Sequence, residues 1–185
     1  EVLVSRVVGM DLGFDREVLS RFSDLRFIST MSTGFDHIDL DYCNERGIVV
    51  SNVLSYAEDS VAELVFGLML NVSRGIGDIE GERGREIRFG VELGGKTLGV
   101  IGSGKIGLKV IEIAKGFGMK VLVYDVVFNE EARERLGFEY VELGKLLKES
   151  NFISLHAPYN ESTHHILGEN LREVKDGCVI VNTAR

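Results

Sequence analysis

The sequence predicts an α/β protein built on a doubly wound parallel sheet, and three observations support this prediction. Short apolar runs alternate with amphipathic stretches along most of the chain, which indicates strands separated by helices. A glycine-rich turn, Gly102–Gly107, lies between a predicted strand and a predicted helix. The composition, 44% hydrophobic and 27% charged, is typical of a globular protein. Strands that alternate with helices form parallel βαβ units.

Residues 1–55 are predicted to form one partial domain. Gly47 follows a helical pattern at the position where glycine commonly ends a helix. The predicted strands are Val2–Val8, Arg26–Thr30 and Ile48–Asn52, and the predicted helices are Asp15–Phe22 and Asp39–Arg46.

Residues 56–95 are interpreted as an interdomain helix followed by a connector. A long helix is predicted to start near Ala57, because apolar residues recur at helical spacing as far as Val72. The apolar stripe is broad, which favours burial between domains or between subunits and indicates a homodimer. The stretch Arg74–Gly95 is rich in glycine and mixed charge and has no long apolar run, so we expect little core there.

Residues 96–185 return to alternating strands and helices and are predicted to be a partial cofactor domain. The predicted strands are Thr97–Ile101, Lys120–Tyr124, Phe138–Val141, Phe152–His156 and Cys178–Val181. The predicted helices are Lys105–Phe117, Glu130–Leu136 and Leu143–Glu149.

The glycine turn and one downstream acid together predict a dinucleotide site. Gly102 allows the tight turn, Gly104 lets the backbone approach a pyrophosphate, and Gly107 lets the helix pack on the strand. The start of the following helix offers N–H groups to phosphates. Asp125 ends the next strand, where its carboxylate accepts ribose hydroxyls and repels a 2′-phosphate. No arginine follows in Val126–Phe128, so the prediction is NAD rather than NADP.

Charge and cysteine content narrow the class further. The formal net charge of −8 argues against nucleic-acid binding, which needs clustered Lys and Arg. Cys43 and Cys178 form no CxxC pair and fit a reducing compartment, so a cytoplasmic location is expected. The most apolar run, Val61–Val72, contains Glu63 and is too short to span a bilayer, so no membrane partner is expected.

Five stretches stand out in this sequence, and these are Ser29–Asp39, Asn52–Glu63, Gly95–Gly107, His156–Pro158 with Thr163, and Val181–Arg185. In this order they resemble the D-isomer-specific 2-hydroxyacid dehydrogenase family. Within it, the Ser-Thr-Gly-Phe-Asp-His-Ile-Asp run and Tyr56 look most like the D-lactate dehydrogenase branch. The resemblance implies an incomplete Rossmann-type cofactor domain plus part of a flavodoxin-like substrate domain.

The resemblance implies roles at the substrate. Backbone N–H groups of Thr33 and Gly34 would hold the substrate carboxylate, and the Tyr56 hydroxyl would donate to it. Tyr56 is open to a second interpretation, aromatic packing at an interdomain hinge. Arg185 matches the catalytic arginine, which would orient the keto acid and polarise its carbonyl. The alternative is a surface arginine that follows a strand.

The resemblance also implies a cofactor-binding set. Lys105 and Ile106 would present backbone to the pyrophosphate. The other positions would line the nicotinamide, and these are Ala157, Pro158, Thr163, Thr183 and Ala184. No metal is implied.

Histidine does the acid–base work in many enzymes, yet none of the four here is assigned that role. The family's acid–base His, with its Glu, lies downstream of the position that Arg185 matches. His37 is interpreted as structural, His156 as packing and backbone positioning, and His164 and His165 as exposed. Both ends look cut inside folded structure, so we expect a piece of a longer protein that is inactive by itself.

The predicted activity is hydride transfer between NAD(H) and C2 of a small D-2-hydroxy or 2-keto acid, with D-lactate and pyruvate as the preferred pair. Two alternatives stay open. One is a different enzyme of the same family: a glyoxylate or hydroxypyruvate reductase, a phosphoglycerate dehydrogenase or a formate dehydrogenase. The other is a corepressor of the C-terminal-binding-protein type, in which NAD binding controls assembly.

Overall fold

The protein is described by a computed structural model that covers residues 2–5, 13–76 and 90–184. The chain divides into two compact units, Glu1–Tyr56 and Ala57–Arg185. Each unit is a parallel sheet with helices packed on it, which confirms the predicted α/β class.

The first unit contains a three-stranded parallel sheet in the order β1-β2-β3. The flavodoxin-like order 2-1-3-4-5 also contains three consecutive strands side by side, namely strands 3, 4 and 5. Its core is a single cluster: Leu19, Leu25, Ile28, Ile38, Tyr42, Cys43 and Ile48. The elements are β1 Val2–Ser5, α1 Arg16–Ser20, β2 Phe27–Thr30, α2 Leu40–Arg46 and β3 Val49–Ser51.

Local side-chain chemistry sets the helix ends in this unit. Asp15 and Asp39 cap α1 and α2 by accepting hydrogen bonds from the backbone N–H groups of Val18 and Tyr42. Gly47 ends α2 with a φ of 66°, as the sequence predicts. Helix α1 is shorter than the predicted Asp15–Phe22, because Asp15 is the cap and the chain tightens into a turn after Ser20.

The second unit contains a five-stranded parallel sheet in the order β6-β5-β4-β7-β8. Numbered from its own first strand, this is the 3-2-1-4-5 order of a Rossmann-type sheet. Its strands are β4 Thr97–Ile101, β5 Lys120–Tyr124, β6 Glu139–Tyr140, β7 Phe152–Leu155 and β8 Val179–Asn182. Its helices are α3 Glu58–Arg74, α4 Lys105–Gly116, α5 Glu130–Leu136 and α6 Leu143–Glu149, with a 3-10 helix at Glu169–Glu173 that the sequence does not predict.

Both faces of the second sheet are buried. Alternate residues of β4 and β5 belong to two different core clusters. One cluster includes residues of α3, α4 and α5, and the other includes Leu146 and Leu147 of α6. A Cβ at Gly99 would come within 2.5 Å of Leu146, so α6 packs directly on the backbone of β4.

Helix α3 belongs to the second unit, whereas the sequence pattern treats residues 56–95 as a segment between domains. Ala62, Val65 and Met69 are fully buried in the same cluster as Leu98 and Val110. This burial joins the helix to the Rossmann-type core. The middle of the predicted connector, residues 77–89, lies outside the described residues.

Within the described residues, no helix has both the length and the apolarity needed to cross a membrane. In the same part of the chain, no group of three His, Cys, Asp or Glu side chains is placed to hold a metal ion.

Candidate functional site

The glycine turn lies at the carboxyl edge of the second sheet, where three strands end together. The N–H of Gly102 donates to the carbonyl of Tyr124, at 2.9 Å. The N–H of His156 donates to the carbonyl of Ile101, at 2.7 Å. These bonds tie the ends of β4, β5 and β7 at the point where the strand order reverses, which is where open α/β sheets bind ligands.

The three glycines of the turn differ in the space around their Cα atoms. Gly102 has a φ of 93°, and a Cβ there would lie 2.7 Å from the backbone nitrogen of Ala157. A Cβ at Gly107 would overlap the carbonyl oxygen of Gly102. A Cβ at Gly104 would meet nothing within 4 Å, and α4 begins there without a side-chain cap. The turn is therefore closed at Gly102 by the backbone of His156 and Ala157, closed at Gly107 by its own backbone, and open at Gly104.

Asp125 lies directly against this turn. Its Oδ2 accepts hydrogen bonds from the N–H of Ser103 at 2.5 Å and from the Ser103 hydroxyl at 2.8 Å. Its Oδ1 accepts from the N–H of Val127 at 3.0 Å. Partial burial by itself raises the pKa of Asp125, but these hydrogen bonds together lower that pKa below its ordinary value. The carboxylate is therefore charged at neutral pH and held beside the turn.

Two residues that the sequence analysis did not select complete this arrangement. Ser103 is buried, and its Oγ lies 3.1 Å from the hydroxyl of Tyr140. The Tyr140 hydroxyl also accepts the N–H of Asn129, at 2.9 Å. Ser103 occupies a variable position of the glycine motif, and Tyr140 lies on another strand. No spacing rule in the sequence connects them.

The loop after β7 contains three predicted cofactor residues and is closed by its own hydrogen bonds. The backbone of Ala157 packs against Gly102. The Thr163 hydroxyl donates to the carbonyl of Pro158 and accepts the N–H of Asn160. The loop is thus brought to the glycine turn at Ala157, while the hydroxyl of Thr163 shapes the loop itself.

His156 begins the same loop and is a neutral residue. Its Nε2 is 2.8 Å from the Ser154 hydroxyl, and burial lowers the pKa of His156 to about 4. A histidine that stays unprotonated above that pH is a poor proton donor near neutrality. This agrees with the packing role expected from the sequence. His164 and His165 are both exposed, with ring centroids 3.8 Å apart.

The end of β8 places two more predicted positions at the same edge of the sheet. The Thr183 hydroxyl is buried, and no hydrogen-bond partner for it occurs among residues 2–5, 13–76 and 90–184. The N–H of Ala184 donates to the Asn182 side chain, at 2.9 Å. Arg185, the predicted catalytic arginine, lies outside the described residues.

The predicted substrate residues belong to the first unit. Asn52 donates to the carbonyl of Thr33 at 2.8 Å, and Ser32 donates to the carbonyl of Gly34 at 2.7 Å. The two carbonyl groups are therefore occupied, which fixes the backbone of the loop. Tyr56 ends the unit with its side chain 60% exposed. The roles of Thr33, Gly34 and Tyr56 stay predictions.

The residues at the glycine turn fit a dinucleotide. A Cβ at Gly104 would meet nothing within 4 Å, so this side of the start of α4, beside Lys105 and Ile106, is where a pyrophosphate would approach the backbone. The Asp125 carboxylate is charged and placed at the turn, where ribose hydroxyls would donate. At the same edge of the sheet lies the buried Thr183 hydroxyl, which has no hydrogen-bond partner among the residues that the structure describes.

Comparison with known proteins agrees with this fit. Residues 66–185 match the model of the D-isomer specific 2-hydroxyacid dehydrogenase NAD-binding domain. The glyoxylate reductase of Thermococcus litoralis is 39% identical in an alignment of 184 positions, and this alignment covers 92% of this chain and 56% of that protein. The chain thus spans little more than half the length of this curated relative.

Solved structures show the same similarity. The D-lactate dehydrogenase of Aquifex aeolicus, complexed with NAD and lactic acid, aligns with a TM-score of 0.85 and 41% identity, covering 100% of this chain and 56% of that one. An acyclic imino acid reductase in complex with NADPH and D-Arg aligns with a TM-score of 0.84 and 31% identity, covering 100% of this chain and 60% of that one. Similar folds thus occur with either nicotinamide cofactor.

Proposed function

Because the chain belongs to the D-isomer-specific 2-hydroxyacid dehydrogenase family and its second unit is an NAD-binding domain, we propose that the whole protein is an NAD-dependent oxidoreductase of small D-2-hydroxy acids. The reaction would interconvert the D-2-hydroxy acid and its 2-keto acid. The observation that carries this proposal is the charged Asp125 carboxylate, hydrogen-bonded to a glycine turn that is open at Gly104.

The proposal includes a preference for NADH over NADPH. The fold alone does not decide this preference, because a similar structure holds NADPH. Asp125 supports NADH because a carboxylate accepts ribose hydroxyls and repels a 2′-phosphate. The next three residues, Val126 to Phe128, supply no cation to bind such a phosphate.

The proposed substrate pair is D-lactate and pyruvate. The similarity to a D-lactate dehydrogenase at 41% identity and the Tyr56 position support this pair. Glyoxylate is the second candidate, because a relative at 39% identity is a glyoxylate reductase. Hydroxypyruvate and phosphoglycerate chemistries have support of the same kind, from relatives at 43% and 41% identity. Formate chemistry and a corepressor role have no specific observation in their favour.

The chain's own residues would bind and orient the substrate. The N–H groups of Thr33 and Gly34, on a loop whose carbonyls are already occupied, would hold the carboxylate. Arg185 would pair with the carboxylate and polarise the 2-keto oxygen, since a guanidinium is permanently charged. When bound, NADH supplies the hydride. His156 would stay neutral and keep the loop packed against Gly102.

The test of this proposal is a binding titration followed by a substrate panel. NADH and NADPH are titrated into the protein by fluorescence, and pyruvate, glyoxylate, hydroxypyruvate and phenylpyruvate are then compared as oxidants of NADH by the complete enzyme. We expect tighter binding of NADH and the highest kcat/KM with pyruvate. Tighter binding of NADPH would overturn the cofactor assignment. A higher kcat/KM with glyoxylate would overturn the substrate, and peptide binding without turnover would favour the corepressor role.

The exposed face of α3 supports a homodimer as part of the proposal. Leu64, Leu68 and Val72 repeat every fourth residue and stay exposed, with Val72 at 63%. A row of large apolar side chains along a helix commonly marks a protein interface. A second copy is the proposed occupant, because a self-complementary helix face is the simplest route to a twofold dimer.

The dimer is tested by the mass in solution. Leu64→Glu with Leu68→Glu should convert a dimer into a monomer in light scattering. Leu171→Glu, at another exposed leucine, serves as the matched control and should leave the mass unchanged. A monomeric wild type, or a double variant that stays dimeric, would refute this interface.

A further inference from the structure

We propose that Tyr140 is a positioning residue: through Ser103 it holds the Asp125 carboxylate in one orientation and thereby increases the preference of the protein for NADH over NADPH. This inference rests on the proposed function. Tyr140 lies in no dinucleotide motif, and its side chain reaches the site from β6, the strand at the edge of the sheet.

The hydrogen bonds at Tyr140 have a fixed direction. The N–H of Asn129 can only donate, so the Tyr140 oxygen accepts it at 2.9 Å. The charged Asp125 carboxylate can only accept, so the Ser103 hydroxyl donates to its Oδ2 at 2.8 Å. The proton between Tyr140 and Ser103 therefore belongs to Tyr140, which donates to Ser103 Oγ across 3.1 Å. The result is one continuous chain of donors that ends on the carboxylate.

The ring of Tyr140 is held in place by two aromatic neighbours. Phe128 stacks on it with ring centroids 4.6 Å apart, and Phe138 meets it edge-on at 5.1 Å. The backbone is held as well, because Tyr140 pairs with Val123 of β5, two residues before Asp125. The hydroxyl is thus a fixed donor to Ser103, and any freedom in the network lies in Ser103 and Asp125.

A fixed donor chain matters because orientation decides what the carboxylate does to a cofactor. Ser103 holds Oδ2 by two bonds, and Val127 holds Oδ1 by one. Held in this way, the charge stays at the turn, where it accepts a 2′-hydroxyl and repels a 2′-phosphate. Without the Tyr140 donor, the Ser103 hydroxyl loses its partner on one side and the polarisation that strengthens its bond to Asp125. The carboxylate is then freer to turn away, which weakens both the attraction and the repulsion.

Tyr140→Phe isolates the hydroxyl, since both aromatic contacts stay possible. The dissociation constants of NADH and NADPH are measured by fluorescence titration for the wild type and the variant. We expect the ratio of the NADPH to the NADH constant to fall about three- to ten-fold, as for loss of one hydrogen bond that acts on a charged group. The change should come mainly from weaker NADH binding. A purely structural role would weaken both cofactors equally and leave the ratio unchanged, which would overturn the inference.

Tyr124→Phe is the matched control. Tyr124 lies on the neighbouring strand, and its hydroxyl makes no hydrogen bond within the described part of the chain. The control should keep the wild-type ratio of the two dissociation constants. An equal fall in the ratio for both variants would show a general effect of removing a phenol and would overturn the inference.

A double-mutant cycle tests whether Tyr140 acts through Ser103. In a Ser103→Ala background, Tyr140→Phe should change the cofactor ratio no further, because the intermediate oxygen is gone. Two independent effects that simply multiply would mean that Tyr140 acts by another route, and the inference would fall.

One readout needs no cofactor. Carbon-13 NMR of the Asp125 carboxyl group follows its titration directly, and Tyr140→Phe should raise the pKa of Asp125 toward its ordinary value, since its donor is weakened. An unchanged titration would overturn the donor chain even in a protein that binds NADH. If the wild type failed to bind NADH while the titration shifted as expected, the proposed function would fail and the donor chain would stand.

Discussion

The two units of the chain hold their candidate binding residues in different ways. In the second unit, the turn lies at the edge of a sheet whose two faces are both buried, and backbone atoms of three strand ends meet there. In the first unit, strand β2 alternates between buried and half-buried residues, and its described core is one cluster. Side-chain hydrogen bonds from Ser32 and Asn52 shape the loop. The candidate cofactor site is thus formed by the ends of the strands themselves, whereas the predicted substrate loop is shaped by local side-chain hydrogen bonds.

The largest predicted effect is the loss of stability when one core isoleucine in each unit is shortened to alanine. Ile153→Ala on β7 should lower the free energy of unfolding by about 4 kcal/mol, near the upper end for such a change, because the cavity is enclosed by neighbouring strands and α6. Ile28→Ala on β2 should cost about 3 kcal/mol, because fewer partly buried apolar residues pack against the described cluster around Ile28 than against the cluster around Ile153. Amide hydrogen exchange of each unit measures both changes. Equal losses, or the reverse order, would contradict the difference in enclosure.

The next largest effect separates two glycines of the turn. Gly107→Ala should destabilise the second unit by about 3 kcal/mol, because the added Cβ overlaps the Gly102 carbonyl. Gly104→Ala should change stability by less than about 1 kcal/mol, because the added Cβ meets nothing within 4 Å. Thermal unfolding measures the stability, and NADH titration should show weaker binding for both variants. Wild-type NADH affinity in Gly104→Ala would mean that the open space at Gly104 is not used by the cofactor.

A smaller effect, on the carboxylate, depends on pH. Asp125→Asn should weaken NADH binding about ten-fold, as expected for loss of a charged acceptor of hydrogen bonds. The folded-state pKa of Asp125 is lowered, so its charge stabilises the fold above the ordinary value of 3.8 and loses that effect as the pH falls through the lowered pKa. The stability difference between wild type and variant should therefore be constant above about pH 5 and vanish in stronger acid. A difference that grew on acidification would contradict this sign.

A second pH-dependent effect concerns His156. Its pKa is about 4 in the folded chain and 6.5 ordinarily, so the unfolded chain binds the extra proton first as the pH falls. Burial of the neutral ring therefore favours folding fully above pH 6.5, and that contribution declines between pH 6.5 and 4. His156→Gln should flatten the stability of the second unit across this window in urea unfolding curves. An unchanged slope would contradict a lowered pKa of His156 in the folded chain.

Much of the fold follows from the sequence. Strands Thr97–Ile101 and Lys120–Tyr124 and helices Glu130–Leu136 and Leu143–Glu149 have the predicted bounds. These elements are predictable from nearby residues: the periodicity of apolar side chains, a capping residue, or a glycine that ends the helix. Gly137 ends the helix Glu130–Leu136 in this way, and Gly47 ends α2. The 3-10 helix Glu169–Glu173 was missed because so short an element has no periodicity to read.

The candidate site likewise contains features that the sequence predicts and features that only the tertiary structure reveals. The sequence by itself determined the turn at Gly102 and the acid at Asp125, because the chemistry of a phosphate-binding turn demands glycine at set spacings and an acid at the end of the next strand. Only the tertiary structure assigned α3 to the second unit and brought Tyr140 to Ser103, 37 residues away. The physical reason is that a hydrogen bond from a side chain on an edge strand to a side chain in a turn two strands away depends on sheet order and register, and these are settled by packing of the whole unit.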